Sequence, residues 1–270
     1  MPSPLASALQ NPRFLKLWAG QCVSAVGDRF TQLALLSLVL GGQASAEAAR
    51  LDFWSFLPWL LICPFAGVLV DRAPRKTIMI AADLVRFALV LSLFAFALGQ
   101  GADLKGTYPI LCAMGAMTAL FSPAKSACLP DLVGPGQILP AGALLAATGV
   151  IATALGSLAA GWVIDTWGWR VCLAVDAVSY LVSAGFIWSI AFPPRTPRAA
   201  ATVRGTMADL ALGFREIAHN RELRKICAFL FVFWFAANSV KVISPNYAKE
   251  VLGIGEGNMT EVTLILAVAG

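Results

Sequence analysis

Four polar side chains recur within one apolar segment near the N-terminus: Gln21, Ser24, Asp28 and Gln32, spaced three, four and four. On a helix they share one face, while Val23, Val26, Phe30 and Leu33 lie elsewhere around it. A carboxyl held there can take up and release a proton, or meet a cationic group. Arg29 follows Asp28, but adjacent positions on a helix point in different directions and pair poorly. Ionised groups in apolar helices usually face a cavity or a partner, so Asp28 either lines a path or pairs with a buried cation for structure. A second stripe, Asp176, Ser179, Tyr180 and Ser183, either lines the same cavity or bridges helices. Lys241 lies toward the end of a later apolar run. There its stem can snorkel to an interface, or its ammonium can meet a substrate. Asp83 and Arg86, three apart, can meet on one face and read as a structural pair.

Enzyme chemistry finds little support. The single histidine, His219, lies in a hydrophilic stretch. No His-Glu-x-x-His, Gly-x-Ser-x-Gly or paired-Asp motif occurs, so no catalytic residue, metal site or cofactor is assigned. The six cysteines, at 22, 63, 112, 128, 172 and 227, fall mostly in apolar runs without a Cys-x-x-Cys pair. Neither a disulfide framework nor a zinc site follows.

The elements that must position these residues are membrane helices. Of 270 residues, 59% are hydrophobic and 13% charged, with a mean hydropathy of +0.76. Soluble domains are about 45–50% apolar and about 25% charged. The net charge of +5 does not indicate nucleic acid, because the cations sit between apolar runs. Apolar runs predict helices at roughly 14–41, 51–70, 77–99, 108–124, 138–164, 171–192 and 223–246, since about 20 residues cross a bilayer. The segment 42–50 reads as a polar loop. Residues 122–137, SPAKSACLPDLVGPGQ, read as a turn from their prolines and glycines. No cleavable signal peptide is visible. An eighth apolar run begins near Met259 and stops at Gly270, about 12 residues on. That is too short to span, so the sequence is expected to be a piece of a longer protein.

Lys and Arg set the orientation. Thirteen lie in one set of loops (Arg13, Lys16, Arg72, Arg75, Lys76, Lys125, Arg195, Arg198, Arg204, Arg215, Arg221, Arg224 and Lys225) and four in the other (Arg50, Lys105, Arg170 and Lys249). The asymmetry predicts a cytoplasmic N-terminus and a cytoplasmic 193–222 linker. In that linker Thr206 and Asp209 form a capping-box pattern. Met207, Leu210, Phe214 and Ile217 then recur at helical spacing, which predicts an amphipathic surface helix.

The turn GVLVDRAPRK, residues 67–76, joins the second and third runs. It resembles the loop between the second and third helices of the major facilitator superfamily, Gly-x-Leu-x-Asp-Arg-x-Gly-Arg-Lys. Gly67, Leu69, Asp71, Arg72, Arg75 and Lys76 match, and Pro74 stands where the second glycine would. Residues 11–35, 121–133 and 168–184 resemble the macrolide and siderophore exporter branch of drug–proton antiporter type. SPAK, with the Gly27–Asp28 segment, is also similar to bacterial lysophospholipid transporters. Gly149, Gly156, Ser157, Ala160 and Gly161 resemble the fifth-helix antiporter motif. Ser157 replaces its proline and Ala160 the first of its late glycines. The fourth run, YPILCAMGAMTALF, lacks the arginine many proton-coupled members carry.

The resemblance implies an all-α transmembrane bundle of the major facilitator fold, reaching about seven and a half of twelve helices. Residues 1–192 would form a six-helix bundle of two inverted three-helix repeats. Residues 193–222 would be the linker and 223–270 the start of a second bundle. It implies a monomeric secondary transporter in a bacterial inner membrane that exports a small amphipathic or hydrophobic compound by alternating access, with a proton as coupling ion. The cargo would follow Asp28, Arg29, Gln21, Ser24, Gln32, Asp176, Tyr180 and Lys241. The Gly67, Asp71, Arg72, Arg75 and Lys76 turn would latch the inward-closed state. Lysophospholipid transport is the alternative within the fold. A transport-inactive fragment or scaffold is the alternative outside it.

Overall fold

The structure, a computed structural model, describes residues 8–40, 44–99, 104–192, 211–212, 215–250 and 260–261. Its described residues form helices joined by short links. In chain order they are α1 (Pro12–Leu40), α2 (Ala44–Arg72), α3 (Arg75–Gly99), α4 (Tyr108–Leu132), α5 (Ile138–Trp167), α6 (Trp169–Trp188) and α7 (Arg221–Glu250). Single 3-10 turns precede α4 and α5. Among the described residues, four stretches, Arg75–Phe96, Tyr108–Leu132, Pro135–Trp167 and Trp169–Trp188, are long and apolar enough to cross a bilayer.

Two boundaries differ from the sequence-based expectation. Residues 44–50, expected in a polar loop, begin α2. The alanine-rich segment ASAEAAR favours helix strongly enough to extend it. The expected turn at 122–137 begins only after Leu132, because α4 continues through Pro123 and Pro130. Prolines are tolerated in membrane helices whose neighbours and side chains take up the freed backbone groups. The predicted capping box at Thr206 and Asp209, with Met207, Leu210 and Phe214, lies outside the described residues. Residues 215–219 are helical.

α5 and α6 meet at a single residue, Gly168, with φ 84 and ψ 163. That conformation is essentially closed to residues with a Cβ. The Gly168 N–H closes α5 by donating to Ile164 O at 3.0 Å. A link this short folds α6 back beside α5.

The packing has an internal two-fold logic. α1 packs on α6 and α5, α4 packs on α3 and α2, and α3 and α6 pack on each other. Exchanging α1, α2 and α3 for α4, α5 and α6 leaves these pairings unchanged. The exchanged helices run in opposite senses. Asn11, at the head of α1, donates to Leu132 O at the tail of α4 at 2.6 Å. Lys76, at the head of α3, donates to carbonyls at the tail of α6.

Buried side chains form two apolar clusters. One gathers Phe14, Leu17, Met79, Phe121, Leu132 and Ile187 at the Arg75 end. The other gathers Phe30, Leu33, Val90, Leu93, Leu111 and Leu173 toward the opposite end. The outward surface is also apolar, with Leu139, Val150, Ile151, Leu155 and Trp188 exposed. An inside-and-outside apolar bundle suits lipid as its solvent.

Candidate functional site

Between the two apolar clusters lies a buried polar layer built by α1, α3 and α6. α1 supplies Gln21, Ser24, Asp28 and Thr31; α3 supplies Asp83 and Arg86; α6 supplies Asp176, Ser179, Tyr180 and Ser183. All but Asp28 are buried, and Asp83, Asp176 and Ser183 are fully so. Helical spacing explains the grouping. Each set recurs every three or four residues, so each helix turns one polar stripe inward.

The two stripes predicted on α1 and α6 meet. Tyr180 OH donates to Asp28 Oδ1 at 2.7 Å, across 152 positions of sequence. Thr31 Oγ1 donates to Asp176 Oδ2 at 2.5 Å. Ser179 Oγ lies 3.2 Å from Asp176 Oδ1 and 2.8 Å from the Asp176 carbonyl oxygen. Gly27 permits this contact. A Cβ on it would sit 2.1 Å from Ser179 Oγ, 2.6 Å from Asp176 Oδ1 and 2.7 Å from Ser179 Cβ. α1 and α6 therefore approach at a point where only a hydrogen fits.

Arg86 is the hub of the layer. Its Nη2 donates to Asp83 Oδ1 at 2.6 Å. Its guanidinium carbon lies 4.5 Å from the Phe121 ring centroid and 4.8 Å from that of Tyr180. Two aromatic faces and one carboxylate thus surround a cation that has left water, a favourable setting for a planar, weakly hydrated guanidinium. Asp28 and Asp176 also lie within its electrostatic reach. Lys125, which the sequence reading placed among the end-loop cations, stands on α4 with Nζ 6.0 Å from the Phe121 centroid. It too lies within electrostatic reach of Asp28 and Asp83. Three carboxyl groups therefore lie around Arg86, and Lys125, only partly buried, stands beside the same Phe121 ring.

Some polar atoms there have no protein partner. Gln21 Nε2, Asp83 Oδ2 and Ser183 Oγ are buried without a hydrogen bond. Ser183 and Asp83 are neighbours that stop short of hydrogen-bond geometry. Gly20, beside Gln21, packs against the Ser183 backbone. An orphaned buried polar group costs about 1–3 kcal/mol.

Other candidate residues go elsewhere. Arg29 Nη1 donates to Gln32 Oε1 at 2.8 Å within α1, and the Arg29 stem packs against Gly156 of α5. Arg29 is not a hydrogen-bond partner of Asp28. The side chain of Lys241 lies outside the described residues, as do those of Asp71 and Arg72. Gly67 is exposed, with open space where a Cβ would stand.

Arg75 and Lys76 organise the end of the bundle. Arg75 Nη1 donates to Asp131 Oδ2 at 2.9 Å and to Ala127 O, both on α4. Lys76 Nζ donates to Trp188 O at 2.6 Å and Ile190 O at 2.7 Å, and Lys16 Nζ to Ser189 O at 3.2 Å. The last carbonyls of a helix lack intrahelical donors and carry partial negative charge. Two lysines at the tail of α6 answer both needs.

The sequence alone did not assign Thr31, Phe121 or Lys125 to this site. Thr31 sits one turn beyond Asp28 and could have joined its stripe. Phe121 and Lys125 are four apart on α4, but the expected turn at 122 hid that spacing.

The chain belongs to the Major Facilitator Superfamily, whose sequence model matches residues 17–270. It is an integral membrane protein by that family and its apolar helices. It is 24% identical over 236 residues to macrolide efflux protein A of Streptococcus pyogenes, covering 86% of this chain and 58% of that protein. It is 25% identical over 279 residues to the lysophospholipid transporter LplT of Photorhabdus laumondii, covering 98% of this chain and 66% of that one. The fold matches a crystal structure of a D-xylose–proton symporter with a TM-score of 0.58 and 15% identity, covering 98% of this chain and 66% of that one. The chain thus spans about three fifths of the length of the curated relatives it matches.

Proposed function

We propose that this chain provides the first six-helix bundle, residues 1–192, a linker, residues 193–222, and the start of a second bundle, residues 223–270, of a secondary transporter. The transporter exports a small amphipathic or hydrophobic compound from a bacterial cell by alternating access, driven by a proton gradient. The N-terminus and the Arg75 end face the cytoplasm, as the excess of Lys and Arg in those loops supports.

The observation that carries this reading is the buried polar layer in an otherwise apolar bundle. Carboxyl groups held within a membrane are costly and mark ion or substrate paths. Asp28 is the least enclosed of the three and is held by a single tyrosine hydroxyl. It is the group that takes and releases the coupling proton or meets a cationic cargo. The unpaired atoms of Gln21, Asp83 and Ser183 supply donors and acceptors beside it. Arg86, fixed by Asp83, Phe121 and Tyr180, keeps the layer from repelling itself when Asp28 is ionised.

The names of two relatives support this choice of cargo. One is named for macrolide efflux, and a lysophospholipid transporter aligns with 98% of this chain. Lysophospholipid movement is therefore the second reading. The test is the whole natural reading frame reconstituted in proteoliposomes and offered macrolides, siderophores and lysophospholipids under an imposed pH gradient. Gradient-dependent flux of one of these is expected. Flux that ignores the gradient rejects proton coupling, and absence of flux for all three classes rejects this choice of cargo.

A further inference from the structure

The tie at the far end of α5 belongs neither to the polar layer nor to the basic turn. Asp165 lies in the last turn of α5, at the end of the bundle opposite Arg75. Its Oδ2 accepts from the Thr260 backbone N–H at 2.9 Å and from Thr260 Oγ1 at 2.5 Å. Thr260 and Glu261 are helical and stand at the head of the eighth apolar run. One carboxylate oxygen of the first bundle thus takes both donors of a single residue 95 positions later, beyond the linker.

The sequence marks the position independently. Ala66–Gly67–Val68–Leu69–Val70–Asp71 ends α2, and Ala160–Gly161–Trp162–Val163–Ile164–Asp165 falls in the last turns of α5. Ala, Gly and Asp recur at the first, second and sixth places. In each case a link of one or two residues leads into the next helix. α2 and α5 are also the helices that trade places under the packing exchange of the six-helix bundle. The two aspartates therefore occupy equivalent places at opposite ends of that bundle.

We infer that Asp165 is a latch. By holding Thr260 it keeps the end of the molecule opposite Arg75 closed, and it lets go when that end opens. The inference rests on the alternating-access reading and adds to it a named closing contact. The physical case is that a carboxylate accepting a backbone N–H and a hydroxyl makes charge-assisted bonds stronger than neutral ones. The contact is also exposed to solvent, so water can replace it when the ends part. A strong but solvent-accessible contact can be made and broken within a transport cycle, as a fully buried one cannot.

The experiment reads closure without any substrate, so it succeeds or fails whether or not a cargo is ever found. In the whole natural reading frame, with every native cysteine replaced by alanine or serine, Thr166→Cys and Glu261→Cys are joined by a short bismaleimide in membranes. Asp165→Ala and Thr260→Val should each lower the cross-linked fraction about threefold or more. Thr260→Ser, which keeps both donors, should match the parent, and Asp165→Asn should fall between. Melting temperature in detergent should stay within about 2 °C of the parent, because an exposed contact adds little to global stability. Unchanged cross-linking in both Asp165→Ala and Thr260→Val overturns the latch. So does a fall accompanied by general destabilisation, which would make the contact plain packing. Should Asp165→Ala fail to reach the membrane, Thr260→Val alone decides between the same outcomes.

Discussion

The polar layer and the Arg75 end both gather charge, yet they use it in opposite ways. In the layer, Arg86 and Asp83 are enclosed, their side chains 4% and 0% exposed, and the cation is flanked by aromatic rings. At the Arg75 end, Arg75 and Asp131 keep 11% and 28% exposure, and Lys76 binds carbonyls rather than a carboxylate. Charges in the layer are answered by one another, by hydroxyl groups and by aromatic rings. Charges at the end answer helix termini and share the work with water. Removing one partner should therefore be severe in the layer and mild at the end.

The largest effect is expected at Asp28. Asp28→Asn should abolish gradient-driven transport while the protein stays folded in the membrane, since the amide still accepts from Tyr180 but cannot carry a negative charge. Proteoliposome flux beside a detergent melting curve measures both. Full activity would remove Asp28 from the path and leave the layer purely architectural.

Arg86 comes next, and here the effect is on stability. Arg86→Leu leaves Asp83 as an uncompensated buried carboxylate, a change of about 3–5 kcal/mol for comparable buried pairs. Adding Asp83→Leu should recover most of that loss, because a buried pair replaced by apolar side chains is often neutral. Transport should not return with it. If the double variant stays as unstable as the single one, the pair is not what holds the three helices.

Much of this contrast was written in the residues. Asp28 and Tyr180 stood on stripes of helical spacing, and Asp83 and Arg86 were three apart, so local geometry alone supplied each half of the layer. What no spacing reveals is which stripes face each other. That depends on α1, α3 and α6 being neighbours, a long-range fact that two polar stripes merely permit. Arg86 shows the cost. Read as a local pair with Asp83, it proves to be the contact between that pair and Tyr180 of α6. Lys125 shows another limit, because Pro123 and Pro130 suggested a turn where a membrane helix continues. The seven long helices of the described residues were legible as apolar runs because a bilayer sets their length, and the resemblance at residues 67–76 supplied the superfamily.

Gly27 tests how tightly the layer is drawn together. Gly27→Ala puts a methyl group within 2.7 Å of Ser179 Cβ and 2.6 Å of Asp176 Oδ1. Rotating Ser179 relieves only its hydroxyl, so α1 and α6 must part. Overpacking of this kind costs about 1–3 kcal/mol. The Tyr180–Asp28 bond spans the same two helices and should lengthen, lowering transport more than the melting temperature alone would suggest. A variant with parental flux would show that the close approach serves packing only.

The smallest effect belongs to the end of the bundle. Lys76→Ala removes two hydrogen bonds to the tail of α6, at Trp188 O and Ile190 O. A cation at a helix C-terminus is worth about 0.3–1 kcal/mol when exposed, and the contact with the Trp188 carbonyl is an exposed one. Lys16, already on Ser189 O, keeps one positive charge near the terminus. The single variant should therefore melt only slightly earlier. Adding Lys16→Ala should cost more than the two single losses together, because no cation then remains to answer the end of α6. High salt should shrink all three differences, since exposed charges are screened, while leaving the Arg86→Leu loss nearly unchanged. That divergence in salt response separates the two regions more sharply than either magnitude does, and equal salt sensitivity would mean that the layer is wetter than its burial indicates.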